Sequence, residues 1–518
     1  MNNKRATKRA LLTSIMALVM CVVMLVGTTF AWFTDTASTG VNKIQAGNLD
    51  IELAYKNAET MTTDTGFKAA NKDTPVFKEG ALWEPGHVEY VVLKVSNAGS
   101  LALKYKLGIN IASETGSTNV LGNEFKLSDY IKFGVVDEDL SGKTRDEMVA
   151  AVTDGKLIKG GYTSVETPLY PAGTEGKDAE KIVTLVVWMP TTVGNEANYK
   201  VAEGITAPSI DLGINVVATQ LTYENDSFND QYDKDAEYPI LVTTGDELQA
   251  IVSNATAPVN IMLTNSITTN NFVIPEDKDV TLDLNGRTVT NAGSHTILNK
   301  GHLTLTDSSA DKSGQIISLK GNTAALRNGD NAVCVVEGGT ISRDGANGNT
   351  WHVVENFGKM TFNGGKVVLK NGNGFAITNG WNYFDPGAST THAVMEINAL
   401  ELDTDSSGIK NCRYGDLTVN DVTVASTGYW ALSNDYLGTA VINGGTLTST
   451  AFKAVSNGAA MTVNGGTFDG TNGLFVQSYA TSTVLNGGTF TNMSVDALSS
   501  YVGTGHTAQQ SGTSVIIK

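Results

Sequence analysis

Asp403 and Asp405 stand two residues apart in "LELDTDSSG" (Leu400 to Gly408), and Arg413 follows shortly after. On a strand-like segment this alternation places both carboxylates on one face. Paired carboxylates can act as general acid and base on a glycosidic bond. Together with an arginine base they could instead hold Ca2+, a hard cation that takes oxygen ligands. Glu401 stands just before this pair and Asp416, Asp421 and Asp435 after it, but not at spacings that would stack them on one face, and aspartate is an ordinary residue for a solvated surface. The sequence therefore favours a non-catalytic surface. Asp403, Asp405 and Arg413 remain the catalytic candidates of an alternative reading, Ca2+ is the one cofactor considered, and no metal-ligand set is assigned.

Aromatic residues in the same region suggest binding chemistry. Trp351, Trp381, Tyr383, Phe384, Tyr414, Tyr429, Trp430 and Tyr436 cluster near turn residues, notably in "GWNYFDPGASTTH" (Gly380 to His392). Flat rings beside Asn and Asp suit a sugar-binding face, and Trp351, Trp381, Tyr383, Tyr429, Trp430 and Tyr436 are the glycan-binding candidates. The rival reading, in which each ring packs on its own segment, stays open at this point. His352 and His392 read as surface residues.

The element that must carry these residues is a repeat. An apolar residue two before an Asn recurs at Asn299, Asn328, Asn356, Asn379, Asn411, Asn434 and Asn457, in steps of 29, 28, 23, 32, 23 and 23 residues. A second column marks a turn: "NGRT" at Asn285, "EGGT" at Glu337, "NGGK" at Asn363, "NGGT" at Asn443, Asn464 and Asn486, with looser members at Asn398 and Asn420. A step of 21 to 23 residues fits one coil of a β-solenoid, and the longer steps fit coils with inserted loops. Coils stacked about 4.8 Å apart turn each column into a continuous row. Inward Ile, Leu and Val would build a core, and the Asn row would hydrogen-bond from coil to coil. Glycine after Asn would supply the positive φ of a tight corner. Burying one aliphatic side chain gains about 1.5 to 3 kcal/mol, whereas ordering one residue costs about 1 to 2 kcal/mol. A single coil is therefore unstable and only the stack holds.

The repeat over residues 240 to 518 resembles the right-handed parallel β-helix of the pectin-lyase superfold. That resemblance implies polysaccharide-cleaving relatives; it does not by itself imply chemistry here. In this register Cys334 and Cys412 lie about 14 Å apart, beyond disulfide reach, and should be free thiols. "TTGDELQAIVSN" sets Thr244 and Glu247 at capping-box spacing before Leu248, Ile251 and Val252, which predicts a short helix covering the open end of the solenoid. Residues 223 to 239 collect Glu224, Asp226, Asp230, Asp233, Asp235 and Glu237 and read as a solvated acidic linker. They lack the Asp-rich loop spacing of a calcium site.

Residues 47 to 222 read as short strands: "LDIELAY", "VEYVVLKVSN", "LALKYKLGINI", "KIVTLVVWMP" and "IDLGINVVATQ". The alternation of Leu101, Leu103, Tyr105, Leu107 and Ile109 marks a strand with one buried face, and a β-sandwich follows. "TTFAWFTD", "AGNLDIEL", "LWEPG", "VSNAGSLALKYKL", "VWMP" with "GNEANY", and "VVATQLTYENDSF" together make residues 1 to about 235 resemble the TasA and camelysin family of bacterial surface proteins. The resemblance implies a jelly-roll-like domain, a leader cut by a dedicated signal peptidase, and fibres in which the N-terminal segment fills a strand position in the next subunit. Trp32, Phe33, Val41 and Ile44 are the apolar residues of such an arm, residues 32 to 46. Camelysin's peptidase label does not carry over, because the sequence holds no His-Glu-x-x-His and His87, read as a turn residue, is the only histidine of this region.

Residues 1 to 31 pair Lys4, Arg5, Lys8 and Arg9 with an uncharged stretch, and read as a secretory signal peptide. The segment carries four positive and no negative side chains, so cleavage would take the formal charge from -17 to -21. Such acidity repels nucleic acid and anionic lipid, so neither nucleic acid nor, once the leader is cut, membrane is an expected partner. The sequence thus predicts an all-β, secreted bacterial surface or biofilm-matrix protein whose partners are further copies of itself and a polysaccharide or cell-wall glycan. The alternatives are a secreted polysaccharide lyase or glycoside hydrolase, and a wall-associated adhesin that does not polymerise.

Overall fold

A computed structural model describes residues 49–58, 66–70, 74–78, 81, 83–222, 237–344, 351–372, 374–381 and 391–518. The signal peptide, the arm with Trp32, Phe33, Val41 and Ile44, most of the acidic linker, and Tyr383 lie outside the described residues. The chain is all-β, with a parallel solenoid of about 10 turns over residues 240–490. Among the described residues no helix is long and apolar enough to cross a membrane.

Residues 49 to 222 form two main antiparallel sheets. One orders Lys68–Ala69, Ile51–Asn57, Val88–Asn97, Glu180–Trp188, Lys132–Val136 and Lys156–Leu157. The other sets Leu103–Thr115 between Thr167–Leu169 and Ser209–Gln220, with Tyr162–Thr163 also pairing to the long strand. Of the predicted alternation, Leu103, Tyr105, Leu107 and Ile109 are buried and share one apolar core with Val91, Leu93, Val95, Leu185 and Val187, whereas Leu101 precedes the strand and is only partly buried, and Lys104 on the opposite face is covered. A helix that the sequence reading did not anticipate, Arg145–Ala151, starts at a capping box between Thr144 and Glu147, and its Met148 packs on Trp188.

The solenoid winds through three sheets of 11, 12 and 9 strands, parallel except for the last two strands of the 12-stranded sheet. In one coil, Asp279–Asp283 belongs to the first sheet, Thr288–Asn291 to the second and Ile297–Asn299 to the third. The Asn column closes seven of the nine third-sheet strands. Asn299 donates to Asn328 (2.7 Å), and the chain continues through Asn356, Asn379, Asn411, Asn434 and Asn457 at 2.7 to 2.9 Å, ending on the Thr483 hydroxyl at 2.7 Å. All seven amides are essentially inaccessible to solvent. The first-to-second corner carries another ladder, this one open to water: Asn486, Asn464, Asn443, Asn420, Asn398 and Asn363 each donate one coil back at 2.7 to 2.9 Å, ending on the Glu337 carboxylate. The two ladders run in opposite directions along the axis.

The glycines of "NGGT" divide two tasks. The positive φ expected right after Asn falls on the second glycine, at Gly445 (97°), Gly466 (108°) and Gly488 (110°). At the first glycine a Cβ would sit 2.7 Å, 2.6 Å and 2.2 Å from the preceding coil's carbonyl at Gly444, Gly465 and Gly487. One glycine makes the corner and the other admits the neighbouring coil.

Helix Gly245–Asn254 closes the N-terminal end and places Leu248 and Val252 in the solenoid core. Its N-cap is Thr244 as predicted, but the Glu247 carboxylate reaches Thr243 rather than completing the box. Gln249 completes the seal: its amide donates to Val273 O (3.0 Å) and accepts from Val273 N (2.9 Å), standing in for a neighbouring strand. The parallel coils do not continue to residue 518. After Gly488–Phe490 the chain makes a short helix, Val495–Leu498, and a hairpin whose strand Ser514–Ile517 pairs antiparallel with Gly488–Phe490. A last coil has no successor to bury its end, and a tight hairpin turning at Gly512 (φ 62°) covers it with Val515 and Ile517.

Candidate functional site

The middle residue of each apolar-x-Asn triplet faces outward, because its neighbours on both sides are core and ladder. Strand register aligns these residues as Leu298, Arg327, Glu355, Thr378, Lys410, Ser433, Ser456 and Phe475, one per coil. This column gathers charged groups that the sequence reading did not single out, although the triplet itself carried the signal. Arg327 pairs with Glu355 at 3.1 Å, and Lys410 pairs with Asp435 at 3.2 Å. Glu355 and Thr378 are buried, whereas Lys410 and Ser433 are partly open.

Aromatic side chains line both corners of this third sheet. On the second-to-third corner, Phe375 and Trp430 lie parallel within 6° at 6.5 Å, Trp430 meets Phe452 edge-on at 5.1 Å, and Tyr429 lies 5.8 Å from Phe452. Trp351 stands on the same corner next to His352, whose Nδ1 lies 3.1 Å from Phe375 O. On the third-to-first corner, Trp381 packs on Phe357 at 4.4 Å, Arg413 reaches the Tyr414 hydroxyl at 2.9 Å, and Tyr436 and Tyr479 are exposed. The described glycan-binding candidates Trp351, Trp381, Tyr429, Trp430 and Tyr436 therefore converge on one sheet. Trp351, Trp381 and Trp430 are mostly covered, whereas Tyr429 and Tyr436 are exposed. The indole N–H groups of Trp351, Trp381 and Trp430 are covered and have no acceptor among the described residues.

The catalytic candidates are not brought together. Asp403 faces outward on the second sheet and is held by Lys370 at 2.8 Å. The strand ends at Thr404, so Asp405 enters the corner, where its Oδ2 accepts from Asn371 N at 2.6 Å. Arg413 stands on the third-to-first corner, bridged to Trp381. His392 is partnered, with Nδ1 2.9 Å from Asp416. Among the described residues no group of His, Cys, Asp and Glu is arranged to hold a metal ion. His87 sits after the Pro85–Gly86 turn with its Nε2 3.0 Å from Glu89 and its ring 4.7 Å from Trp83. Cys334 and Cys412 are buried and unbridged, and burial pushes both thiols up to about 12.

A second feature lies in the antiparallel region. Ser209–Gln220 pairs on one side with Leu103–Thr115, and among the described residues no strand pairs with its other side. Along it runs a cleft of about 640 Å³ whose lining includes Leu53, Phe77, Trp83, Ile210, Leu212 and Ile214. No family model matches the chain, and no curated protein matches it at a significant level.

Proposed function

We propose that the chain is a secreted bacterial surface or matrix protein in which a jelly-roll-like β-sandwich assembles copies and a right-handed β-helix is displayed along the assembly. The observation that carries this reading is the unpaired edge of Ser209–Gln220 beside its apolar cleft. An open edge with an apolar flank is a template for an added strand: the backbone supplies hydrogen bonds and alternate side chains fill the cleft. The arm of residues 32 to 46 supplies Trp32, Phe33, Val41 and Ile44 as such side chains. Its resemblance to TasA-type segments supports docking on the next copy. Export through the leader and residence at the cell surface or in the matrix belong to the same reading.

The test compares protein spanning Trp32 to Lys518 with protein starting at Ala46, both at high concentration and imaged by negative-stain electron microscopy. Fibres from the longer protein alone are expected. Single particles from both would remove the arm as an assembly strand.

A further inference from the structure

Tyr429, Tyr436 and Tyr479 are 55%, 46% and 55% exposed, and they are the only aromatic side chains so exposed among the described residues. Their placement is not scattered. Tyr429 precedes and Tyr436 follows the third-sheet strand Leu432–Asn434, and Tyr479 follows Leu474–Val476. Beside these walls the column runs Lys410, Ser433, Ser456, of which Lys410 and Ser433 are partly open and Ser456 is covered, 2% exposed. Gly458 leaves room for the Tyr479 ring, since a Cβ there would sit 2.7 Å from it.

The chemistry of this strip selects its partner. Tyrosine rings offer an apolar face and a polar rim, which matches the C–H faces and hydroxyl rim of a sugar. The partly open Ser433 hydroxyl on the floor can both donate and accept. Lys410 is already paired with Asp435, so the strip carries little free charge, and the chain as a whole stands at -17. A polyanion is therefore repelled at long range, and the cation that borders the strip, Lys453, already lies over the Phe452 and Phe475 rings at 5.1 and 3.6 Å. Successive coils are about 4.8 Å apart, close to the length of one hexose unit, so a chain lying along the axis meets an equivalent position at each coil.

We propose that the strip over Lys410 and Ser433, walled by Tyr429, Tyr436 and Tyr479, binds a linear neutral polysaccharide lying along the solenoid axis. This surface is distinct from the second-sheet face that holds Asp403, and it goes beyond the assembly reading without depending on it.

The test uses the chain from Trp32 to Lys518 and measures calorimetric binding of cellohexaose, xylohexaose, mannohexaose and chitohexaose, with polygalacturonate as the acidic comparison. At least one neutral hexasaccharide is expected to bind. Its affinity should fall about tenfold or more in the Tyr429→Ala, Tyr436→Ala, Tyr479→Ala triple variant. The triple variant should still unfold cooperatively, with a melting temperature lowered only slightly by the lost contacts of Tyr429 with Phe452 and of Tyr479 with Gly458. Ser433→Trp, which fills the floor and leaves the walls, should abolish binding independently. No binding by any neutral hexasaccharide, equal binding by the triple variant, or tyrosine-dependent binding of polygalacturonate alone would overturn the proposal. None of these outcomes depends on whether the protein forms fibres.

Discussion

Burial holds the imidazoles of His295 and His352 below their ordinary value of 6.5. Ala324 N donates to His295 Nδ1 at 2.8 Å, which fixes a neutral ring with its proton on Nε2. The folded protein refuses protons that the unfolded chain accepts once the pH drops below 6.5. Stability from this source is thus flat above about pH 7 and falls as the solution is acidified, by at most about 1.4 kcal/mol per histidine per pH unit. The urea midpoint should be lower at pH 5.5 than at pH 7.5, and the difference should shrink in His295→Gln with His352→Gln. An unchanged difference would place the acid sensitivity elsewhere. The sequence reading took His352 for a surface residue because a lone histidine between polar neighbours gives no sign of which side of a corner it occupies.

At the scale of elements, the two asparagine ladders make the same bond in different surroundings. Asn356 accepts from Asn328 and donates to Asn379 and to Val394 O, all away from water. Replacing it by alanine strands buried partners on neighbouring coils and should cost about 3 kcal/mol, whereas Asn443→Ala, where water can substitute, should cost about 1 kcal/mol or less. Chemical denaturation of the two variants measures the contrast, and equal costs would mean that the buried ladder is not the stronger fastener. The buried ladder was legible in the sequence because its period is fixed by the core residue two positions earlier. The exposed column was legible as a turn mark but not as a ladder, since an exposed amide is equally content with water. The "GG" pair was read as one device because sequence shows the need for glycine without showing whether φ or close approach demands it.

For the whole molecule, composition and repeat made the all-β class and the solenoid legible, and the capping helix followed from Thr244 and its apolar spacing. The C-terminal hairpin did not follow. Strand propensity in "SVIIK" is the same for a parallel coil and an antiparallel cap, and only the exposed end of the last coil decides between them. Aromatic placement was equally opaque: inserted loops make the coil steps range from 23 to 32 residues, so spacing alone cannot tell which corner a ring occupies. The catalytic pair failed for a related reason, since alternation from Asp403 to Asp405 breaks where the strand ends at Thr404.

The stacking of coils also sets how the solenoid would yield under load. Each coil is joined to the next by short strands and, over most of the stack, by one amide from each ladder, so tension between the two ends should peel coils singly rather than shear the whole rod. Near the C-terminal end the repeat is 21 to 23 residues, and a released coil of that size adds about 70 Å of chain at roughly 3.3 Å per residue. Stretching single molecules by atomic force should give a sawtooth with regular increments of that length over residues 411 to 486 and longer increments where loops are inserted. One abrupt extension of the full solenoid would show that the coils fail together. A protein built this way would act in a matrix as an extensible tether, taking up strain one turn at a time.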